Sequence, residues 1–186
     1  MAELDYRGVW EAAYTWDDYL ANEVVQHRGM WEAGWARAAV PIWAPEAAAR
    51  AGGAWKLLVI SEDWCGDAFN TVPVIAKVAE ALPNFELRVV KRDENLELMD
   101  EYLTNGSRSI PLVVVLRDDF TPAGRWGPRP AELQEFVLRE KRAGERPAEE
   151  IYRDVRQWYA RDRGETTIRE LLAVVGGEPV SSRAAA

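Results

Sequence analysis

An α/β fold follows from three features of this sequence. Leu57-Leu58-Val59-Ile60, an aliphatic run bounded by polar residues, has the length and composition of a buried strand. Further runs of that kind alternate with segments of helical period, the pattern of βαβ units. A hydrophobic content of 48% supplies a sizeable core, and 29% charged residues gives an ordinary surface.

Residues 1–53 read as an N-terminal helical extension packed on the core. Five of the nine tryptophans lie here: Trp10, Trp16, Trp31, Trp35 and Trp43. Thr15, with Asp18 three positions on, can cap a helix in which Trp16, Leu20, Val24 and His27 share one stripe. A second helix is expected around 30–39, with Trp31 and Trp35 one turn apart, before Pro41 and Pro45 interrupt it. The stripes predict tryptophans laid against the core; the alternative is that some line a groove beside Cys65, since aromatic-lined grooves bind ligands. His27, the sole histidine, is expected to be a partly buried helix residue. One Cys and one His do not make a structural zinc site, so no metal is expected. Gly52-Gly53 marks the boundary.

Residues 54–143 carry the alternating pattern. Strands are expected over 55–61, 86–91 and 111–117, with a short one over 123–126, and helices over 65–82, 96–103 and 130–143. Pro73 lacks a backbone donor and is expected to bend or break the first of these helices. Residues 118–122 form a turn, so the last two strands make a hairpin at the sheet edge. Gly127-Pro128-Arg129-Pro130 is a rigid entry to the next helix, with Pro130 at its first turn.

Residues 144–186 form a C-terminal helical extension. A helix over 148–163 has a narrow apolar stripe of Ile151, Val155 and Trp158, its many charges forming a solvated face. Thr167 and Glu170 can form a capping box for a last helix with Ile168, Leu171, Leu172 and Val175 on its apolar side, ended by Gly176-Gly177. The tail over 181–186 is expected to be disordered.

A net charge of −8 and a pI near 4.9 disfavour nucleic acid, whose binding rests on lysine and arginine neutralising phosphates, and disfavour anionic membrane surfaces for the same reason. No apolar run approaches the roughly 20 residues that span a bilayer. Met1 to Tyr6 is acidic and leads into no signal-type apolar segment. One cysteine excludes an internal disulfide framework and fits a reducing compartment, so a cytoplasmic location is expected.

That cysteine, Cys65, sits at the turn from the aliphatic strand into a helix. The unpaired N–H groups of a helix's first turn favour a thiolate by about 0.3–1 kcal/mol. Asp67, about 5 Å away, opposes it by roughly 0.8 kcal/mol in a water-like dielectric. Asp63 adds repulsion if it turns inward, and Arg108 can offset it. The contributions nearly cancel, placing the expected pKa near the free-cysteine value of about 8.5.

Trp64-Cys65-Gly66-Asp67-Ala68 after a hydrophobic strand resembles the active-site loop of the thioredoxin superfamily, where Trp-Cys-Gly-Pro-Cys opens the second helix. It is closer still to the atypical bacterial members that read Trp-Cys-Gly-Asp-Ala. Pro73 in the following helix, Arg92-Asp93-Glu94-Asn95 closing a strand, and Ser109-Ile110-Pro111 opening the next extend the match over roughly residues 54–143. The resemblance implies a thioredoxin-like fold, a central mixed sheet flanked by helices, here with N-terminal and C-terminal helical extensions. It also implies that Pro111 is cis and faces Cys65, that Trp64 shields the sulfur, that Gly66 keeps the turn open, and that the backbone of Ile110 beside Pro111 holds an extended substrate segment.

The sequence departs from that pattern where the second thiol should stand. Ala68 occupies the position, no other cysteine exists in the chain, and the superfamily's buried acid aligns with Val59. A dithiol cycle within the chain is therefore excluded. Two functions are left. One is a monothiol thiol–disulfide oxidoreductase of cell redox homeostasis, with Cys65 as the catalytic residue, Trp64, Gly66, Asp67, Ile110 and Pro111 binding substrate, and a protein or low-molecular-weight thiol resolving the adduct. The other is a redox-inactive thioredoxin-like module that binds a peptide or protein. No cofactor is expected; a shared iron–sulfur cluster of the monothiol glutaredoxin type would call for a basic residue shortly before the cysteine, where Glu62 and Asp63 stand.

Overall fold

A computed structural model describes residues 4–177; the expected disordered tail over 181–186 lies outside them. The order is α1 (Tyr6–Ala12), β1 (Tyr14–Thr15), α2 (Trp16–Asp18) running into a π-helical turn (Tyr19–Glu23), α3 (Arg28–Arg37), α4 (Ala44–Ala51), β2 (Trp55–Ser61), α5 (Gly66–Ala81), β3 (Phe85–Lys91), a 3₁₀ turn (Arg92–Glu94), α6 (Leu96–Asp100), β4 (Leu112–Arg117), β5 (Pro122–Trp126), α7 (Ala131–Ala143), α8 (Ala148–Asp162) and α9 (Glu165–Val175).

The sheet is mixed, in the order β1-β3-β2-β4-β5. β2 lies at its centre, parallel to β3 with Leu57 opposite Leu87, and antiparallel to β4 with Leu57 opposite Val115. Every residue of β2 is buried, which is why its aliphatic run is continuous and not alternating. β4 and β5 form the expected edge hairpin. At the other edge β1, two residues for which the sequence has no strand pattern, pairs antiparallel with β3.

Several elements depart from their sequence expectation for local reasons. Thr15 does cap α2, its Oγ1 accepting from the Asp18 N–H, but the helix widens into the π turn and ends at Val24. The N–H groups of Val25 and Gln26 go instead to the Asp63 carboxylate at 2.9 and 2.6 Å, so the helix stops short of His27. His27 is exposed, not partly buried within that helix; it is the left-handed residue before α3, with its ring against Phe69. Pro45 begins α4 rather than interrupting a helix, as fits a residue with no N–H to lose in a first turn.

Pro73 does not break α5, which runs unbroken over sixteen residues. A proline frees the carbonyl four residues earlier, here Phe69, from its helical bond, and α3 closes on that place through Gly34. A side-chain carbon at Gly34 would lie 2.9 Å from the Phe69 carbonyl oxygen and 3.2 Å from Pro73.

The capping box expected of Thr167 and Glu170 does not form. α9 begins two residues before Thr167, which is buried within it. The Glu170 carboxylate accepts from Trp126 Nε1 and from the Ala131 N–H, both at 2.8 Å, and so serves the first turn of α7. Burial raises the Glu170 pKa, while these two donors oppose the rise.

One apolar core joins the sheet, α5 and α9 to Trp10, Trp16, Tyr19 and Trp31 of the N-terminal segment. α7 and α8 pack on each other around a second cluster of Leu133, Val137, Val155 and Tyr159. The buried stripe of α8 is therefore Ile151, Val155 and Tyr159, and Trp158 is half-buried beside it.

Trp31 is completely buried, stacked edge-on against Tyr19, and its Nε1 donates to the Asp63 carbonyl at 2.9 Å. Trp31→Ala is expected to cost about 3–5 kcal/mol in urea unfolding, whereas Trp64→Ala, at a side chain 40% exposed, is expected to change stability by less than about 0.5 kcal/mol. Equal losses at the two positions would refute this assignment of the tryptophans.

Candidate functional site

β2 delivers the chain to the turn at residues 62–65, and Cys65 is the cap of α5 in extended conformation. Three carboxylates flank the thiol, and each is held. Glu62 is buried and accepts from the Asp93 N–H at 2.9 Å; burial raises its pKa, and the Asp93 donor opposes that rise. Asp63 is turned away from the sulfur towards Val25 and Gln26. Asp67, buried in the first turn of α5, takes the Arg129 guanidinium at 2.5 Å on one oxygen and the Tyr159 hydroxyl at 2.9 Å on the other. Arg129 is fixed in turn by Gln134, 2.8 Å away.

Cys65 is 8% exposed, and its Sγ donates to the Ile110 carbonyl at 3.4 Å. Burial, first, and the Asp67 carboxylate, second, push the thiol above its ordinary range; the N–H groups of Ala68 and Asp67 and the Arg129 cation pull downward without prevailing. The balance expected from sequence thus tips towards the neutral thiol, because burial was the contribution that spacing could not reveal. Arg108 plays no part in it: its guanidinium is spent on Asp100 at 2.6 and 2.8 Å.

A cleft of about 730 Å³ opens beside the sulfur. Trp64, Cys65, Gly66, Asp67 and Ile110 line it, whereas Pro111 does not. The Ile110–Pro111 peptide is cis, but Pro111 is buried and its carbonyl backs onto Gly127, where an added side-chain carbon would collide with it and φ is +116°. None of the five N-terminal tryptophans reaches the cleft; Trp10, Trp16 and Trp31 are core, with Trp35 and Trp43 packed against it. The far wall comes from α7 and α8, with Val137, Lys141, Tyr152, Val155 and Arg156.

Arg129, Tyr159 and this far wall are absent from the sequence-based site. Tyr159 had a local signal, the i, i+4, i+8 spacing from Ile151 and Val155 that puts it on the buried face. Arg129 had only its place between two prolines. Among the described residues no cluster of three or more His, Cys, Asp or Glu side chains is arranged to hold a metal ion.

A family model described as thioredoxin matches residues 13–148. The chain belongs to the thioredoxin family. No curated protein matches it. Among solved structures, this thioredoxin-family chain is similar to a protein of unknown function from Pseudomonas aeruginosa, with 21% identity, 94% of this chain and 99% of that one covered, and a TM-score of 0.73. An HIV epitope-scaffold protein is similar at 19% identity, with 95% and 100% covered and a TM-score of 0.73. At these identities the likeness is one of fold.

Two measurements check the electrostatics. Asp67→Asn removes the charge that opposes the thiolate and leaves Arg129 without its carboxylate, so the pH midpoint of Cys65 alkylation is expected to fall while stability drops by about 3–5 kcal/mol; an unmoved midpoint would refute the coupling. A thiol whose folded pKa lies above its unfolded value near 8.5 stabilises the fold below that pH and ceases to as pH rises through the folded value. Wild type is therefore expected to lose more stability than Cys65→Ser between about pH 7 and about pH 10. Parallel losses would show that Cys65 ionises alike in both states.

Proposed function

We propose that this thioredoxin-family chain is a redox-inactive binding module that takes an extended segment of a partner protein into the cleft beside Cys65, with the thiol kept protonated. The observation that carries this reading is the state of Cys65: buried, donating to the Ile110 carbonyl, and pushed up by burial and Asp67. A thiolate is the form that attacks disulfides and peroxides, and these surroundings suppress it. The cleft volume lies in the range of pockets that bind ligands, roughly 300–1,000 Å³. Trp64, Gly66, Asp67 and Ile110 are the proposed contacts, with Pro111 shaping the backbone from behind. A cytoplasmic setting suits a chain with one reduced cysteine.

A second reading is monothiol exchange, favoured by the place of Cys65 at the α5 N-terminus, where the Asp67 and Ala68 N–H groups address the sulfur. In that reaction the thiolate attacks one sulfur of a disulfide, forms a mixed disulfide and expels the other sulfur as a thiolate. An external thiol, protein or low-molecular-weight, then attacks the adduct and restores Cys65 reduced.

Selection of peptides from a random display library, combined with exposure to oxidised glutathione, separates the two readings. The binding module is expected to enrich peptides whose binding survives Cys65→Ser and is lost on Trp64→Ala, and to gain no glutathione adduct by mass over hours. Prompt formation of one adduct per chain, with no enriched peptides, would replace binding with exchange.

A further inference from the structure

We propose that the segment this cleft accepts is acidic and carries at least one aromatic or large apolar side chain; the proposal rests on the binding reading and adds the chemistry of the partner. The first ground is charge. The chain has a net charge of −8, yet five basic residues, Arg92, Arg108, Arg129, Lys141 and Arg156, line the cleft against two acidic ones, Asp67 and Glu149. Asp67 and Arg129 neutralise each other within the wall. Arg92 and Arg108 are likewise ion-paired, with Asp93 and Asp100, so the unpaired positive charge of the cleft lies on the far wall. Lys141 and Arg156 are exposed on the far wall, and among the described residues neither forms an ion pair.

The second ground is the arrangement of the aromatics. Trp64 and Tyr152, 40% and 38% exposed, both line the cleft, one from the Cys65 turn and one from α8. Each carries a cation on its ring face: the Arg92 guanidinium lies 4.9 Å from the Trp64 centroid and the Lys141 ammonium 5.4 Å from the Tyr152 centroid. Such pairs hold ring and charge together, so each wall offers an apolar surface with a positive group fixed beside it. Deeper, Ile110, Val137 and Val155 supply an apolar lining. Carboxylates beside an aromatic residue satisfy both features at once. A basic segment meets like charge at the far wall, which selects against it.

The test uses the full chain and fluorescent peptides of matched length: one with Asp and Glu around a single Trp, its Ser/Gln analogue, and its Lys analogue, read by anisotropy. The acidic peptide is expected to bind at least about tenfold more tightly than the neutral one, with the advantage shrinking as salt rises from about 50 to about 500 mM. The double variant Lys141→Glu with Arg156→Glu, at exposed positions away from the core, is expected to weaken the acidic peptide about tenfold and to turn the preference towards the Lys analogue; an acidic preference unchanged in this variant would overturn the proposal. Neutral and acidic peptides binding equally, with no salt dependence in wild type, would overturn the acidic partner while leaving the binding reading intact. If none of the three binds and the random library also yields nothing, the binding reading fails and this inference falls with it.

Discussion

A carboxylate taken out of water must be paired, and at the Cys65 turn that requirement ties together parts of the chain that are far apart in sequence. Asp67 is satisfied by Arg129, from the entry to α7, and by Tyr159, from α8. Asp63 is satisfied by backbone donors at Val25 and Gln26, and Glu62 by the N–H of Asp93 beyond β3. Leaving either of the two buried groups, Asp67 or Glu62, without its partner would cost more than the contact itself contributes, since the penalty for an unpaired buried charge exceeds the net value of the pair. The three acids therefore act as fasteners, each gripping a different segment. Such a turn gains rigidity from residues that, counted as charges alone, only repel a thiolate.

The N-terminal segment and the C-terminal helical hairpin of α7 and α8 reach the site by different physics. The former is anchored through the main core, where Trp31 is fully buried and its indole N–H fixes the Asp63 carbonyl. The latter has a small core of its own between α7 and α8, and Tyr159 of that core carries the hydroxyl that meets Asp67. Burial and the neighbouring carboxylate hold that hydroxyl well above the usual tyrosine range, so it remains a donor. Apolar packing thus sets the shape of the hairpin, and a polar contact sets its relation to the thiol.

Much of the fold was legible because its signals are local. The β2 run needs only its own aliphatic sequence, and the β4–β5 turn announces itself in Asp118-Asp119-Phe120-Thr121-Pro122. What escaped is what depends on distant partners. β1 is two residues long and exists because β3 offers an edge. The π turn after α2 ends where Asp63, nearly forty residues on, takes the next backbone donors. Thr167 and Glu170 have the spacing of a capping box, but tertiary packing sends Glu170 to Trp126 and Ala131. At the site, the Trp-Cys-Gly-Asp-Ala turn was readable, whereas the choice of Arg129 over Arg108 as the neighbouring cation was not. Both arginines lie near the turn in some arrangement of the chain, and only the fold shows that Asp100 has claimed Arg108.

Asp67 also connects the ionisation of the thiol to the geometry of the cleft. Its carboxylate is the largest influence on Cys65 after burial, and its two partners belong to the segments that build the far wall. A ligand that shifts α8 must alter the Tyr159 contact and therefore the field at the sulfur, so occupancy and thiol protonation are linked in both directions. The aligned position in an ordinary thioredoxin motif is a proline, whose side chain can neither bear charge nor accept a hydrogen bond. With aspartate there and alanine in place of the second cysteine, the chemistry of a dithiol gives way to an electrostatic contact between the turn and the C-terminal hairpin. The consequence is a site in which the same residue that pushes the thiol pKa upward also meets the segments that build the surface beside it.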